Sequence, residues 1–177
     1  MWCLRNQLTM NRTKNEILGN LYYNIGKQAT NFRIFHNYYD NSEKKFSKWI
    51  NYLDATEKDI EKATHRTLLK NEVVLDFDPE KGEGLNDVAR RVIKVCKELK
   101  RKKVKYECYY TGSRGYHIHI FIKDMFFIED KNKRREFRSN IIKFFGAEVQ
   151  KNSEGTAIAL EGVPHWKSGK IKKRCFW

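Results

Sequence analysis

The chain has 177 residues, enough for one domain with a real core and hardly enough for two. Lys and Arg number 36 against 22 Asp and Glu, and a net charge of +14 points to an acidic partner, nucleic acid first. No uninterrupted apolar run could span a bilayer and the N-terminus lacks a signal-peptide pattern, so a soluble, intracellular protein with no membrane partner is expected.

Before about residue 31 the chain is polar and then helical in pattern, with Ile17, Leu18, Leu21, Tyr22 and Ile25 at helical spacing. Residues 31–35 read as a short strand that sets Arg33 opposite Phe32 and Ile34. From Ser42 to about Lys62 the spacing of Phe46, Trp49, Ile50 and Leu53 predicts helix, with a second helix starting at Asp54 capped through Glu57. His65 and Arg66 follow in no spacing that picks them out. Next comes Val73-Val74-Leu75-Asp76-Phe77-Asp78-Pro79, a strand with Val73, Leu75 and Phe77 on one face and Val74, Asp76 and Asp78 on the other. Two aspartates at i and i+2 lie on the order of 6–7 Å apart at Cα, close enough to share a pair of divalent cations about 3.5–4 Å apart.

A Pro- and Gly-containing loop follows, in which Glu80 and Glu83 are expected to be solvated. Asn86 is expected to cap a helix with Val88, Val92, Val95, Cys96 and Leu99 inside and Arg90, Arg91, Lys94, Lys97 and Lys100 outside. Lys105 to Tyr110 alternates as a strand into Thr111-Gly112-Ser113-Arg114-Gly115, a turn able to bring backbone N–H groups, a hydroxyl and a guanidinium to one anion. The strand that leaves it points Tyr116, Ile118, Ile120 and Ile122 one way and His117 and His119 the other. His119, one pleat further from the turn, is read as structural. Lys131 to Phe145 predicts an amphipathic helix with Phe137, Ile141, Phe144 and Phe145 inside. Its Lys131, Lys133, Arg134, Arg135 and Arg138 could track a nucleic-acid backbone, although a solvated face is the simpler reading. Ala157 to Leu160 is a further strand, followed by a basic terminal segment with Lys167, Lys170, Lys172, Lys173 and Arg174. The apolar end, Cys175-Phe176-Trp177, either packs back on the core or belongs to the front part of a longer protein.

A strand ending in Asp-x-Asp, followed after one helix by Thr-Gly-Ser-Arg-Gly-x-His, resembles the archaeo-eukaryotic primase superfamily. Asp76 and Asp78 match its first motif, and Ser113, Arg114 and His117 its second. The resemblance implies a third motif, one more metal-binding carboxylate followed by a His near a Lys-Ser/Thr-Gly turn. Glu148 takes that place, glutamate for the commoner aspartate, with His165 and Lys167 downstream. Glu161 is the rival carboxylate, and Glu148 is preferred for its spacing to His165. An early Arg before an aromatic stretch in the family makes Arg33 a candidate nucleic-acid contact. Cys3, Cys96, Cys108 and Cys175 are scattered without ligand spacing, so no structural zinc is expected.

The fold implied is α/β in the α+β sense. It is a primase catalytic core in one domain, an N-terminal α/β unit over about 1–70 and an antiparallel sheet like that of the RNA-recognition motif over about 71–177. The function implied is a DNA primase or primase-polymerase that works by nucleotidyl transfer on a single-stranded DNA template. Asp76, Asp78 and Glu148 would hold two Mg²⁺ or Mn²⁺ ions. Ser113, Arg114, His117, His165 and Lys167 would grip the nucleoside triphosphate, and Arg33, Lys170, Lys172, Lys173 and Arg174 the template. A primase large subunit or a helicase is the implied partner. The alternative is a non-catalytic nucleic-acid-binding accessory module of the same fold. A metal-dependent nuclease is disfavoured, since hydrolysis has little use for a triphosphate grip.

Overall fold

The computed structural model describes Glu16, Leu18 and residues 32–40, 43–165 and 167–177. Apart from Leu18, which is buried against Phe32 and Leu160, the apolar stripe predicted over residues 17–25 lies outside these residues.

Two antiparallel sheets carry the fold. The larger has the order β10 (Lys173–Cys175), β7 (Tyr106–Tyr110), β8 (Tyr116–Phe121), β6 (Glu72–Phe77). Helices α2 (Leu85–Arg101) and α3 (Lys131–Phe144) cover one of its faces. The alternation in β6 and β8 explains this: Val73, Leu75, Phe77, Tyr116, Ile118 and Ile120 all point into one core with Val88, Val92, Cys96 and Ile142. The smaller sheet has the order β4 (Ile50–Asn51), β1 (Arg33–Phe35), β5 (His65–Thr67), β9 (Ala157–Ala159), beside a β2 (Asn37–Asp40) and β3 (Glu43–Phe46) ribbon. Leu68, Val74 and Ile158 close a seam between the sheets.

The strand at Ala157–Ala159 does not complete the larger sheet, as an RNA-recognition-motif arrangement requires. It pairs with β5, Arg66 opposite Ile158, and β10 takes the outer edge beside β7. Ile158 belongs to the seam, and only this pairing carries it there. The two sequence halves therefore share a sheet.

The predicted helix at 42–62 is helical only toward its end: β3 and β4 come first, then a 3-10 turn at Tyr52–Asp54, and only then α1 (Glu57–Lys62). Phe35 draws Trp49, Phe46 and His65 into one aromatic cluster, with Trp49 stacked on it at 4.3 Å, and this packing overrides the helical spacing. The cap of α1 is Thr56, not Asp54, because Asp59 at the third helical position accepts the Thr56 N–H at 2.9 Å. Likewise α2 starts at Leu85, where the Asp87 carboxylate accepts the Gly84 N–H at 3.0 Å and Asn86 is already inside the helix.

Two charged residues of α3 turn inward. Arg138 is fully buried, its Nε donating to the Glu72 carbonyl at 2.8 Å and its Nη2 to the Lys70 carbonyl at 2.7 Å, and Arg134 clamps Glu154. Neither can track a nucleic-acid backbone. With this face inward, Phe144 is 74 % exposed, contrary to its predicted burial. Beneath it a second buried group spans three strands: Arg66 donates to both Glu72 carboxylate oxygens at 2.7 Å, and Glu72 meets His119 Nδ1 at 2.7 Å. The chain end packs back, Trp177 donating to Cys108 Sγ at 3.3 Å and lying against Tyr116. Among the described residues no helix is long and apolar enough to cross a membrane.

Candidate active site

Antiparallel register places Asp76 directly opposite His117 on the face that the helices leave uncovered. Residues opposite each other in such a pair share a face, so the aspartate and imidazole meet, Nε2 to Oδ1, at 3.2 Å. Lys151 Nζ reaches the other Asp76 oxygen at 3.2 Å. Asp78 follows the end of β6 and faces Arg114 at 3.3 Å. Glu80 is solvated as expected, its side chain 74 % exposed, whereas Glu83 is drawn in: Arg91 pairs with it at 2.7 Å and donates to the Asp78 carbonyl at 2.9 Å, so the loop that carries Asp78 is tied to α2.

The turn from Thr111 to Gly115 is held from both sides at its glycines. Gly115 lies so close to the first motif that a Cβ there would stand 2.2 Å from Asp78 Oδ1 and 2.5 Å from the Phe77 carbonyl oxygen. Gly112 has φ +85°, and a Cβ would stand 2.4 Å from the Lys170 carbonyl oxygen. That carbonyl belongs to the 165–170 hairpin, in which His165 N–H donates to Lys170 at 2.8 Å. Ser168 Oγ donates to the Gly112 carbonyl. The three sequence motifs are thus bolted together by backbone contact. In the hairpin, His165 Nδ1 accepts the N–H groups of Lys167 and Ser168 at 3.3 and 3.4 Å, which leaves the neutral ring's proton on Nε2.

Glu148 joins this group from the turn after α3, its N–H donating to the Asp76 carbonyl at 3.0 Å. Burial, and then the charges of Asp76 and Asp78, raise its carboxyl above the ordinary value. Glu161 instead acts on Tyr109 and Lys172. Burial alone would raise Asp76, but the His117 hydrogen bond and Lys151 overcome it and hold the carboxyl well below the usual range. Burial pushes His117 down to about 4 and His119 to about 3, so both rings are neutral at pH 7. An unfolded histidine takes its proton near 6.5, so between pH 6.5 and about 4 the unfolded chain binds protons that the folded chain refuses. Stability is expected to fall across that window, each histidine contributing on the order of 3 kcal/mol, before the carboxylates act below pH 4. Urea unfolding at pH 7.5, 5.5 and 4.5 checks this, and a flat profile contradicts it.

A cleft of ≈ 570 Å³ between the two sheets collects Asp76, Asp78, Ser113, Arg114, His117, His165 and Lys167, a volume suited to a nucleotide-sized ligand. It also takes in Lys151, His65 and Phe46, none singled out by sequence. Lys151 had a local signal, one short turn beyond Glu148; His65 and Phe46 are brought in only by their aromatic packing. Lys172, assigned by sequence to the template, is buried in the cleft wall instead. Arg33 is not in the cleft: its guanidinium lies 4.6 Å over Trp49, in a separate concavity with Lys70 and Lys131. Lys170 and Lys173 are exposed, and Arg174 pairs with Glu107 at 3.1 Å.

Among the described residues no three carboxylate, imidazole or thiol groups close into a cluster that could hold a metal ion. The donor set nevertheless suits a hard divalent cation. Asp76, Asp78 and Glu148 offer carboxylate oxygens, Lys151 and Arg114 stand beside Asp76 and Asp78 as positive charges, and the carboxyl of Glu148 is raised by burial and then by the charges of the other two.

The chain is similar to the polymerase domain of Mycobacterium tuberculosis ligase D, solved in complex with DNA, at 11% identity and TM-score 0.54 over 93% of this chain and 81% of that one. It is similar also to the archaeo-eukaryotic primase domain of the cyanophage S-2L primase-polymerase, at 12% identity and TM-score 0.53 over 92% and 89%. No curated protein matches in sequence. Residues 28–158, which hold the Asp76–Asp78 strand, the glycine-bracketed turn and Glu148, match the model of the LigD primase-polymerase domain, and it is to this family, within the archaeo-eukaryotic primase superfamily, that the chain belongs.

Proposed function

We propose that the chain is a single catalytic domain that joins nucleotides on a single-stranded DNA template, as a primase or primase-polymerase. The observation that carries this is the meeting, in one cleft, of the Asp76–Asp78 pair with the Ser113–Arg114–His117 turn. Asp76, Asp78 and Glu148 would hold two Mg²⁺ or Mn²⁺ ions, which when bound supply charge neutralisation on the triphosphate and a lowered pKa for the attacking 3′-hydroxyl. The residues of the chain position the reactants. Ser113, Arg114 and the backbone N–H groups of the turn offer donors to phosphate, and His165 and Lys167 do so from the hairpin. His117, neutral and bonded through Nε2, orients Asp76. Lys170 and Lys173 offer exposed charge to the template backbone, with an affinity that falls as salt rises. A primase large subunit or a helicase is the partner class that suits such a domain.

The deciding experiment incubates the protein with Mn²⁺ or Mg²⁺ and labelled nucleotides on single-stranded template, with and without a primer. Products in either case are expected; products without primer would make it a primase. No product in any condition, with DNA still bound, would favour the accessory binding module.

Gly115→Ala tests the bolting of the turn to the first motif. The methyl group cannot fit against Asp78, so the turn or the aspartate must shift, at about 1–3 kcal/mol. A displacement on the order of 1 Å at the reacting centre costs about 100-fold in rate. Wild-type kcat/KM in the alanine variant would show that this contact does not position Asp78.

A further inference from the structure

Lys172 is held by its backbone on both sides, its N–H donating to the Val163 carbonyl at 3.2 Å and its carbonyl accepting from Gly162 at 3.0 Å. Its side chain runs inward and is 3 % exposed. The ammonium donates to the Ala159 carbonyl at 2.8 Å and lies 4.9 Å from the centre of the Tyr109 ring, in the wall of the same cleft. An ammonium has three donors, and among the described residues no carboxylate forms an ion pair with this one. The groups that face it are Arg66 from β5, Glu72 from β6, Tyr109 from β7, His117 and His119 from β8, and Lys151 and Glu161 from the flanking turns. Glu72 is already claimed by Arg66, and Lys151 by Asp76. A buried cation so poorly paired is costly, and the cost is relieved by an anion.

We propose that Lys172 is a phosphate-binding residue of the cleft, its ammonium holding an oxygen of the bound nucleotide's phosphate chain. The proposal rests on the primase-polymerase reading and adds to it a residue outside the three motifs. Burial, then repulsion from Arg66 and Lys151, lower the Lys172 ammonium to about 7. An approaching phosphate favours the charged form, so binding draws a proton from solvent, and affinity falls as pH rises above 7.

The test is calorimetric titration of a non-hydrolysable deoxynucleoside triphosphate with Mg²⁺ at pH 8, in buffers of different ionisation enthalpy. Wild type, Lys172→Met and Lys172→Arg are compared, each checked for folding by its thermal melt. At this pH the triphosphate is itself deprotonated, so uptake reports on the protein. Wild type is expected to take up a proton, and Lys172→Met to bind about 10- to 100-fold more weakly without uptake. Lys172→Arg, whose charge is permanent, is expected to keep most of the affinity and lose the uptake. Should the methionine variant not fold, wild type against arginine decides alone. Persisting uptake in either variant would assign the proton to His117 and overturn the proposal, as would tight wild-type binding without uptake. Failure of the wild type to bind the triphosphate at all would overturn the primase-polymerase reading itself.

Discussion

Asp76→Asn is expected to reduce nucleotide incorporation by on the order of 1,000-fold or more while the protein stays folded. Three features make Asp76 the residue whose loss should cost most. It is held ionised, it sits opposite His117 in the strand register, and its backbone carbonyl anchors Glu148. The amide removes the negative charge that a divalent cation needs. It keeps an oxygen for the His117 hydrogen bond and leaves the Glu148 backbone contact untouched. The loss should therefore appear in kcat and in Mn²⁺ affinity measured by titration, with the melting temperature changed little. Near-normal incorporation by the asparagine variant would remove Asp76 from the metal ligands. Unchanged Mn²⁺ binding beside lost incorporation would leave it a positioning role only.

Arg66→Ala is expected to be the most destabilising single change, by about 3–5 kcal/mol. It strands Glu72, whose side chain is fully buried and whose carboxyl stays ionised, against burial, only because Arg66 and His119 oppose the burial penalty. Losing a third or more of an ordinary domain's stability would lower the melting temperature by on the order of 10 °C. The loss arises from the unpaired charge, so replacing both partners, Arg66→Met with Glu72→Met, is expected to recover most of it. Denaturant unfolding of the single and double variants measures this. A double variant as unstable as the single one would show that the pair also sets the packing between the sheets.

Much of the site was legible because it is built from local periodicity. Alternation along residues 73–77 and 116–120 put the apolar side chains into one core and left Asp76 and His117 on the other face, as the strand pairing places them, with Asp78 just past the strand's end. The glycines at 112 and 115 marked a turn that no Cβ would fit. Helix ends and helix faces were less legible. Asp59 and Asp87 outcompeted the expected caps by reaching back to backbone N–H groups, and α3 is turned so that arginines, not Phe144, lie inside. Local hydropathy cannot weigh a guanidinium against a phenyl ring, because the outcome depends on the carbonyls of residues 69, 70 and 72 that wait for Arg138.

The sequence by itself determined the two strands with their acidic and imidazole faces, the glycine-bracketed turn that enters the second of them, the strong positive charge, and through these the family. Only the tertiary structure decided that β9 joins β5 rather than the larger sheet, that Arg66, Glu72 and His119 form a buried charge group, and that Lys151 and Lys172 enter the cleft while Arg33 does not. The physical reason is range. Side-chain alternation and turn chemistry act over two to five residues, whereas the partner of a buried charge is set by whichever strand lies alongside, here 47 positions away between Glu72 on β6 and His119 on β8.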